Sequence, residues 1–381
     1  MRVLHVIESL IESGGAERGL VREITSFSES VEQRVLLLYN RTDLAPQLTE
    51  SGIAVDVVGL SEGRGSRSWP TALRPVRDMI RDFDPDVIQS SLFLGNLVAQ
   101  MGARRSGTPV VSNLVLSGDP DLLNIYQPGA GTLRARQLRK IAGRAARGDH
   151  VYFRALTEDV KTTNAALLGF DLSRATVIPR SVELPGVGAV SSRADLGIPD
   201  GRIIVNVGRQ APQKGHLLLL EAFARVRRNV PDAHLLMIGK DAESSGQIRE
   251  AIRKWGIADS ITTVPHTEQV YEYLAHSDLF AFSSVMEGLG TAILEAMAAG
   301  LPIVAFDIPP VREATGDGRF ADLVEVGNVD ALARAIVRNL AEGERNSSVR
   351  DWVAEHHNIE SVSSKVEELL RTVAKANERI G

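Results

Sequence analysis

The stretch Ser283-Ser-Val-Met-Glu-Gly-Leu-Gly-Thr-Ala-Ile-Leu-Glu-Ala-Met-Ala-Ala-Gly-Leu-Pro-Ile-Val-Ala-Phe-Asp307 sets a polar pair, an acid and a Gly-Leu-Gly turn ahead of a run of helix formers. Ala, Leu and Met dominate from Thr291 to Ala299, which favours a helix, and Gly300-Leu301-Pro302 ends it before an apolar, β-branched run opens at Ile303. A glycine turn that feeds a helix N-terminus offers free backbone N–H groups and the positive end of the peptide dipoles to an anion such as phosphate. Glu287 precedes the turn and Glu295 lies inside the helix, so the two acids should face different parts of one ligand.

The turn–helix–strand unit recurs outward in both directions. Apolar runs predict strands near 3–7, 35–38, 54–60, 87–90, 110–114, 151–155 and 176–178, and again near 203–208, 234–238, 261–264, 279–282, 303–306 and 322–326, with helix-period segments between most of them. That alternation is the α/β pattern of doubly wound, Rossmann-like parallel sheets covered by helices on both faces. Periodicity lapses between Pro179 and Asp200, around Leu184-Pro-Gly-Val-Gly188, as a linker would. The expected division is a first domain at 1–183, a linker at 184–200, a second domain at 201–357 and a C-terminal segment at 358–381. Two such domains should form a cleft facing the C-terminal edges of their strands, where ligands of this class bind. Val362, Val366, Leu369, Leu370 and Val373 make one apolar stripe in the last segment, an amphipathic helix suited to packing on a domain.

The totals agree. A chain of 381 residues is long for one core. Hydrophobic residues at 44% and charged residues at 24% mark an ordinary globular protein. No apolar run reaches the ~18 residues that span a bilayer, and the strand-like start lacks a signal-peptide layout, so a cytoplasmic location is expected. The absence of cysteine excludes disulfides, thiolate nucleophiles and cysteine metal sites. A net charge of -5 gives no global attraction to nucleic acid, and none is expected as a partner.

Directly after the first strand of the second half comes Gly208-Arg209-Gln-Ala-Pro-Gln-Lys214-Gly215. Two cations on one glycine-flanked loop at a strand's C-terminal end can converge on a diphosphate at the Thr291 helix end; the plain alternative is a solvated loop. Glu295 has a plain alternative too, since a carboxylate near a helix start stabilises the dipole. Near the N-terminus, Glu12-Ser-Gly14-Gly15-Ala-Glu17 is a glycine turn into a helix beginning about Ala16, either a tight turn or a close approach to a bound group; the dinucleotide fingerprint Gly-x-Gly-x-x-Gly is absent. Residues 133–147 carry Leu133, Arg134, Arg136, Arg139, Lys140, Arg144 and Arg147 on a helical pattern. A solvated face and a peripheral contact with an anionic membrane or diphospholipid both fit. His266, His276, His356 and His357 lack the partner spacing of a metal site.

The Gly14-Gly15-Ala-Glu17 loop, the Gly208-Arg209 to Lys214-Gly215 segment and the Glu287 to Glu295 element, with its Glu-x7-Glu spacing, occur in that order. Together they resemble the retaining glycosyltransferases of the family-4 type, over nearly the whole chain. The resemblance implies the GT-B architecture, with the C-terminal helix crossing back to the first domain. It implies that Arg209 and Lys214 neutralise a donor diphosphate as a metal does in other transferases, so that neither metal nor cofactor is needed and the nucleotide-sugar is a co-substrate. Glu287 matches the acid that contacts the transferred sugar, and Glu295 the one that holds the ribose. The N–H groups of Leu289, Gly290 and Thr291 would bind phosphates, and Gly14 and Gly15 would close from the first domain. The catalytic set carried over is thus Glu287, Arg209 and Lys214.

The first domain departs from the pattern. Where many relatives carry histidines, this chain reads Gln89-Ser90-Ser91 and Asn113-Leu-Val115, and Arg180 stands where Pro-Asn-Gly is commoner. Ser91, Asn113 and Arg180 are therefore the candidates for the acceptor side. The expected activity is transfer of a sugar from a UDP- or GDP-sugar to a hydroxyl of a glycan, lipid-linked or small-molecule acceptor. A nucleotide-sugar-binding protein without transfer, and a nucleotide-sugar epimerase on the same scaffold, are the alternatives.

Overall fold

The computed structural model describes residues 1–12, 14–61, 69–126, 131–186 and 191–378. It separates into two compact units, Met1–Ser181 with Ile359–Gly381, and Val182–Asn358.

The first unit runs β1 (Arg2–Ile7), α1 (Gly15–Ile24), β2 (Glu32–Tyr39), α2 (Ala45–Glu50), β3 (Ala54–Leu60), α3 (Trp69–Phe83) and β4 (Val87–Ser91). It continues through α4 (Phe93–Ala103), β5 (Val110–Leu114), α5 (Pro120–Tyr126), α6 (Leu133–Ala146), β6 (Val151–Ala155), α7 (Glu158–Leu168) and β7 (Ala175–Val177). The strands form one sheet in the order β3-β2-β1-β4-β5-β6-β7, and every pairing is parallel. Side chains alternate across a strand, so a sheet buried on both faces needs apolar residues at consecutive positions. Leu4, Val6, Leu36 and Leu38 face α3 and α4, while Val3, Val87 and Val111 face the opposite way.

The second unit runs β8 (Arg202–Val207), α8 (His216–Asn229), β9 (Ala233–Ile238), α9 (Ser245–Trp255), β10 (Ile261–Val264), α10 (Val270–Ala275) and β11 (Leu279–Phe282). Then follow α11 (Thr291–Ala298), β12 (Ile303–Phe306), α12 (Pro309–Ala314), β13 (Asp322–Val324), α13 (Val329–Glu342) and α14 (Ser347–His356). Its sheet is also parallel, in the order β10-β9-β8-β11-β12-β13. The strand order reverses between β8 and β11, the kind of position at the strand ends where ligands bind in doubly wound sheets.

The last helix, α15 (Ile359–Glu378), packs on the first unit's sheet. Val362, Val366, Leu370 and Val373 are buried against Val3, Val87 and Val111. Each such side chain contributes roughly 1.5–3 kcal/mol when fully buried. Glu367 fixes the helix along its axis by accepting from Ser28 N at 2.9 Å and Ser28 Oγ at 2.8 Å. The apolar runs anticipate all the strands to within a few residues. β13 stops at Val324 instead of reaching 326, because Asn328 N donates to Glu325 O and closes a turn into α13.

Candidate active site

In the second unit the crevice is built by two loops, 208–215 after β8 and 283–290 after β11. Gly215 sits at φ +64°, where L side chains are strained, and a Cβ there would lie 2.0 Å from Ser283 O. Glycine at this position therefore lets the loops touch. Ser283 Oγ donates to Lys214 O at 2.9 Å and Val285 N donates to Gln213 O at 2.9 Å, which stitches them together.

The stitching delivers Lys214 to Glu287. Lys214 Nζ donates to Glu287 Oε1 at 2.6 Å, with the carboxylate 8% exposed. Arg209, earlier on the same loop, is exposed, and among the described residues its guanidinium has no hydrogen-bond or ion-pair partner. His216, the first residue of α8, is pushed down to about 4 by burial and secondarily by the Lys214 charge, so it is neutral near pH 7.

Gly290 takes φ +80° as the N-cap of α11, and among the described residues no side chain caps that helix. Ile293 N donates to Gly290 O at 2.9 Å, while among the described residues no side-chain cap bond is made at the N–H groups of Thr291 and Ala292. Leu289 is buried, Thr291 is half-buried, and Glu295 stands in the second turn, half-buried. The crevice thus combines a lysine held on a buried carboxylate, an exposed guanidinium and a helix N-terminus, which suits a ligand with a multiply charged anionic centre and neighbouring hydroxyls.

The other predicted residues lie in the first unit. Gly14 is the N-cap of α1, its N–H donates to Ile11 O at 3.1 Å, and a Cβ on it would meet the Glu17 carboxylate. Ser91 and Asn113 are register partners on β4 and β5, and Asn113 Nδ2 donates to Ser91 Oγ at 2.9 Å. Arg180 lies along α1 over Gly15 and Gly19; a Cβ on Gly19 would come within 2.6 Å of its Nε. Ser91, Asn113 and Arg180 thus line one small cleft, together with Gly19, Glu23 and Arg154.

Sequence reasoning missed Glu23 and Arg154. They form a buried ion pair. Arg154 also donates to Ile178 O at 3.0 Å and Pro179 O at 2.8 Å, while Glu23 accepts from Gln89 Nε2 at 2.9 Å. The available signal was a charge inside the apolar strand Val-Tyr-Phe-Arg-Ala, because an arginine there has to find a buried partner. Among the described residues no group of three His, Asp or Glu side chains converges as a metal site would require.

Comparison with known proteins agrees with this division. The model for the Glycosyl transferase 4-like domain matches residues 14–181, and that for Glycosyl transferases group 1 matches 191–356. The chain is 28% identical over 308 residues to the phosphatidyl-myo-inositol mannosyltransferase of Mycobacterium leprae, covering 73% of this chain and 81% of the relative. It is 33% identical over 186 residues to the D-inositol 3-phosphate glycosyltransferase of Segniliparus rotundus, covering 46% of this chain and 41% of the relative. An uncharacterized glycosyltransferase of Methanocaldococcus jannaschii is 32% identical over 108 residues, covering 28% of this chain and 26% of the relative. The match thus spans less than half the length of two of these three relatives. In fold, the chain resembles the Anabaena protein HepE solved with UDP-glucose, at TM-score 0.80 and 18% identity over 98% of this chain and 100% of that one. A sucrose-phosphate synthase from Thermosynechococcus elongatus gives TM-score 0.80 and 16% identity over 99% and 100%. Matched by the two models in succession, one on each parallel-sheet unit, the chain belongs to the glycosyltransferases of the GT-B fold.

Proposed function

We propose that this glycosyltransferase takes its sugar from a nucleoside-diphosphate donor, a UDP- or GDP-sugar, held by the second unit, and transfers it with retention to a hydroxyl of a glycan, lipid-linked or small-molecule acceptor held by the first. The observation that carries the reading is the contact of Lys214 with Glu287 at the point where the strand order reverses. UDP-glucose in the HepE structure supports a UDP-sugar as the first donor to try.

In this reading Arg209 and Lys214 face the diphosphate together with the N–H groups of Leu289, Gly290 and Thr291. Glu287 accepts from the hydroxyls of the transferred sugar, and Glu295 from those of the ribose. As the bond from the anomeric carbon to the phosphate oxygen breaks, its electron pair goes to the diphosphate. Cations and N–H dipoles already aimed there favour the transition state over the ground state. The acceptor hydroxyl forms its bond on the same face, and its proton passes to the leaving phosphate oxygen. A complex with intact donor tests this step: a carboxylate on the far face, within bonding reach of the anomeric carbon, would replace it with a double displacement.

A panel of UDP-, GDP- and ADP-sugars, assayed for transfer and hydrolysis with and without a chelator, tests the activity. Turnover of one donor, insensitive to the chelator, is expected; binding of free nucleotide without turnover of any donor would favour a non-transferring binding protein. Thermal shift gives a first screen, since ligand at 100 times its Kd raises stability by about 2.7 kcal/mol.

The basic helix α6 supports a peripheral contact with anionic lipid. Leu133 is 78% exposed at its start, and Arg134, Arg136, Lys140 and Arg144 are exposed along it. Among the described residues no helix is long and apolar enough to cross a membrane. Sedimentation with liposomes should bring the protein down with anionic but not neutral vesicles, and less at high salt; absence from both pellets would leave α6 a solvated face.

A further inference from the structure

The first unit shares a topological feature with the second: its strand order reverses between β1 and β4. Glu8 follows β1 and Leu92 follows β4, so both stand at the C-terminal edge of the sheet where the order turns. Gly95 lets α4 lie directly on the end of β1, since a Cβ there would come within 3.1 Å of Val6 O.

Leu92 takes φ +66° and ψ 166°, a region that is essentially reserved to glycine. Its side chain packs against the cluster of Ile7, Leu10 and Leu20, and that anchorage offsets the strain. Phe93, next in the chain, is turned outward and left 43% exposed at the start of α4. A lone exposed apolar side chain needs no explanation. An aromatic ring held out by a strained residue, at the edge of a sheet where ligands bind in this class, points to a ligand.

Glu8 adds an independent feature. Its Oε1 accepts from Leu94 N at 2.7 Å, which fixes the carboxylate beside Phe93. Among the described residues Oε2 has no hydrogen-bond partner and no cation pairs with Glu8, which is half-buried. Burial raises its pKa, the Leu94 N–H opposes that rise, and the Glu17 charge adds to it. A carboxylate oxygen with spare acceptor capacity and no cation to neutralise it suits a ligand hydroxyl and repels an anion.

We propose that Phe93 and Glu8 form an acceptor subsite for a neutral, polyhydroxylated ring such as a pyranose, with the Phe93 ring against its C–H face and Glu8 Oε2 accepting from a ring hydroxyl. The negative face of an aromatic ring attracts C–H groups, and a rigid ring offers it a flat apolar side that an open-chain polyol with the same hydroxyls does not. The proposal rests on the reading of the first unit as the acceptor side, and it narrows the acceptor to a glycan, free or lipid-linked, over a charged or open-chain small molecule.

Saturation-transfer NMR on the full chain tests it with four probes: methyl β-D-glucopyranoside, octyl β-D-glucopyranoside below its micelle concentration, methyl β-D-glucuronide and D-glucitol. Both glucosides should bind, and the glucuronide and D-glucitol should bind more weakly than either. Equal affinity of the two glucosides would mark the ring of a free glycan, and tighter binding of the octyl compound a lipid-linked one. Phe93→Ala should weaken both glucosides about five- to ten-fold, and Phe93→Tyr should keep them. Glu8→Gln should bring the glucuronide up to the level of the methyl glucoside; a glucuronide that stays weak would remove Glu8 from the subsite. Phe93 is an exposed side chain, so its variants decide the matter even if Glu8→Gln disturbs the start of α4. No glucoside signal, equal binding of D-glucitol, or a glucoside signal that survives Phe93→Ala would overturn the proposal. Thermal shift with UDP and GDP on the wild-type chain reports separately on the transferase reading: nucleotide binding without glucoside binding would strike the subsite alone, and Phe93-dependent glucoside binding without nucleotide binding would strike that reading and leave the subsite.

Discussion

Lys214 and Glu287 are 73 positions apart in the chain and 2.6 Å apart in space. If Lys214 serves the diphosphate, Lys214→Ala removes a charge-assisted contact of about 1.5–3 kcal/mol, which lowers kcat/KM roughly 10- to 100-fold. Steady-state kinetics with the donor found in the panel reads this out, and unchanged efficiency would refute the assignment. Glu287→Ala should cut kcat more than nucleotide affinity, whereas Glu295→Ala should weaken nucleotide binding more than kcat; equal losses on both measures would contradict the division of roles. Lys214 and Glu287 stood out as candidates in the sequence because Lys214 lies in a loop with Gly208 and Gly215 at its ends and Glu287 directly precedes the Gly288-Leu-Gly290 turn. Glu23 and Arg154 were not, because a single acid on a helix looks like any solvated residue until its partner strand is known.

Among the elements, α15 was legible as an amphipathic helix from its Val362, Val366, Leu370 and Val373 stripe, since a 3.6-residue period is a local property. The surface it covers was not, because the stripe fits any apolar sheet face; packing on Val3, Val87 and Val111 is a tertiary fact. Leu370 is fully buried in that contact. Leu370→Ala should destabilise the first unit by about 2–5 kcal/mol, with the loss visible as a lower urea midpoint. An unchanged midpoint would mean that the helix contributes little to holding that unit together.

At the scale of the whole molecule, each unit holds a buried histidine that the fold keeps neutral near pH 7, His5 in the first and His216 in the second. His5 is pushed down to about 4 by burial, against the opposing pull of Gln33, Gln89 and Glu23, and His216 is likewise pushed to about 4. In the unfolded chain both titrate near their ordinary value of about 6.5. Between roughly pH 6.5 and 4 the unfolded state therefore binds protons that the folded state does not, and stability falls as pH falls. Each histidine contributes up to about 1.4 kcal/mol per pH unit in that window. Calorimetry at pH 6.5, 5.5 and 4.5 should show both units melting progressively earlier, with His216→Asn flattening the trend in the second unit; midpoints that hold steady across the window would contradict the buried neutral state.

The sequence by itself determined the two parallel α/β units and their strands, and singled out the candidate residues of the second unit's loops, because hydrophobic period, helix propensity and turn chemistry act over a few residues. Only the tertiary structure decided which charges meet. The Glu23–Arg154 pair spans 131 positions. It exists because the register of β4, β5 and β6 and the seat of α1 bring a helix carboxylate and a strand guanidinium into one dry place, where removing either would leave a buried charge uncompensated. The same packing gathers Ser91, Asn113 and Arg180 around one cleft, a meeting that no local pattern could reveal.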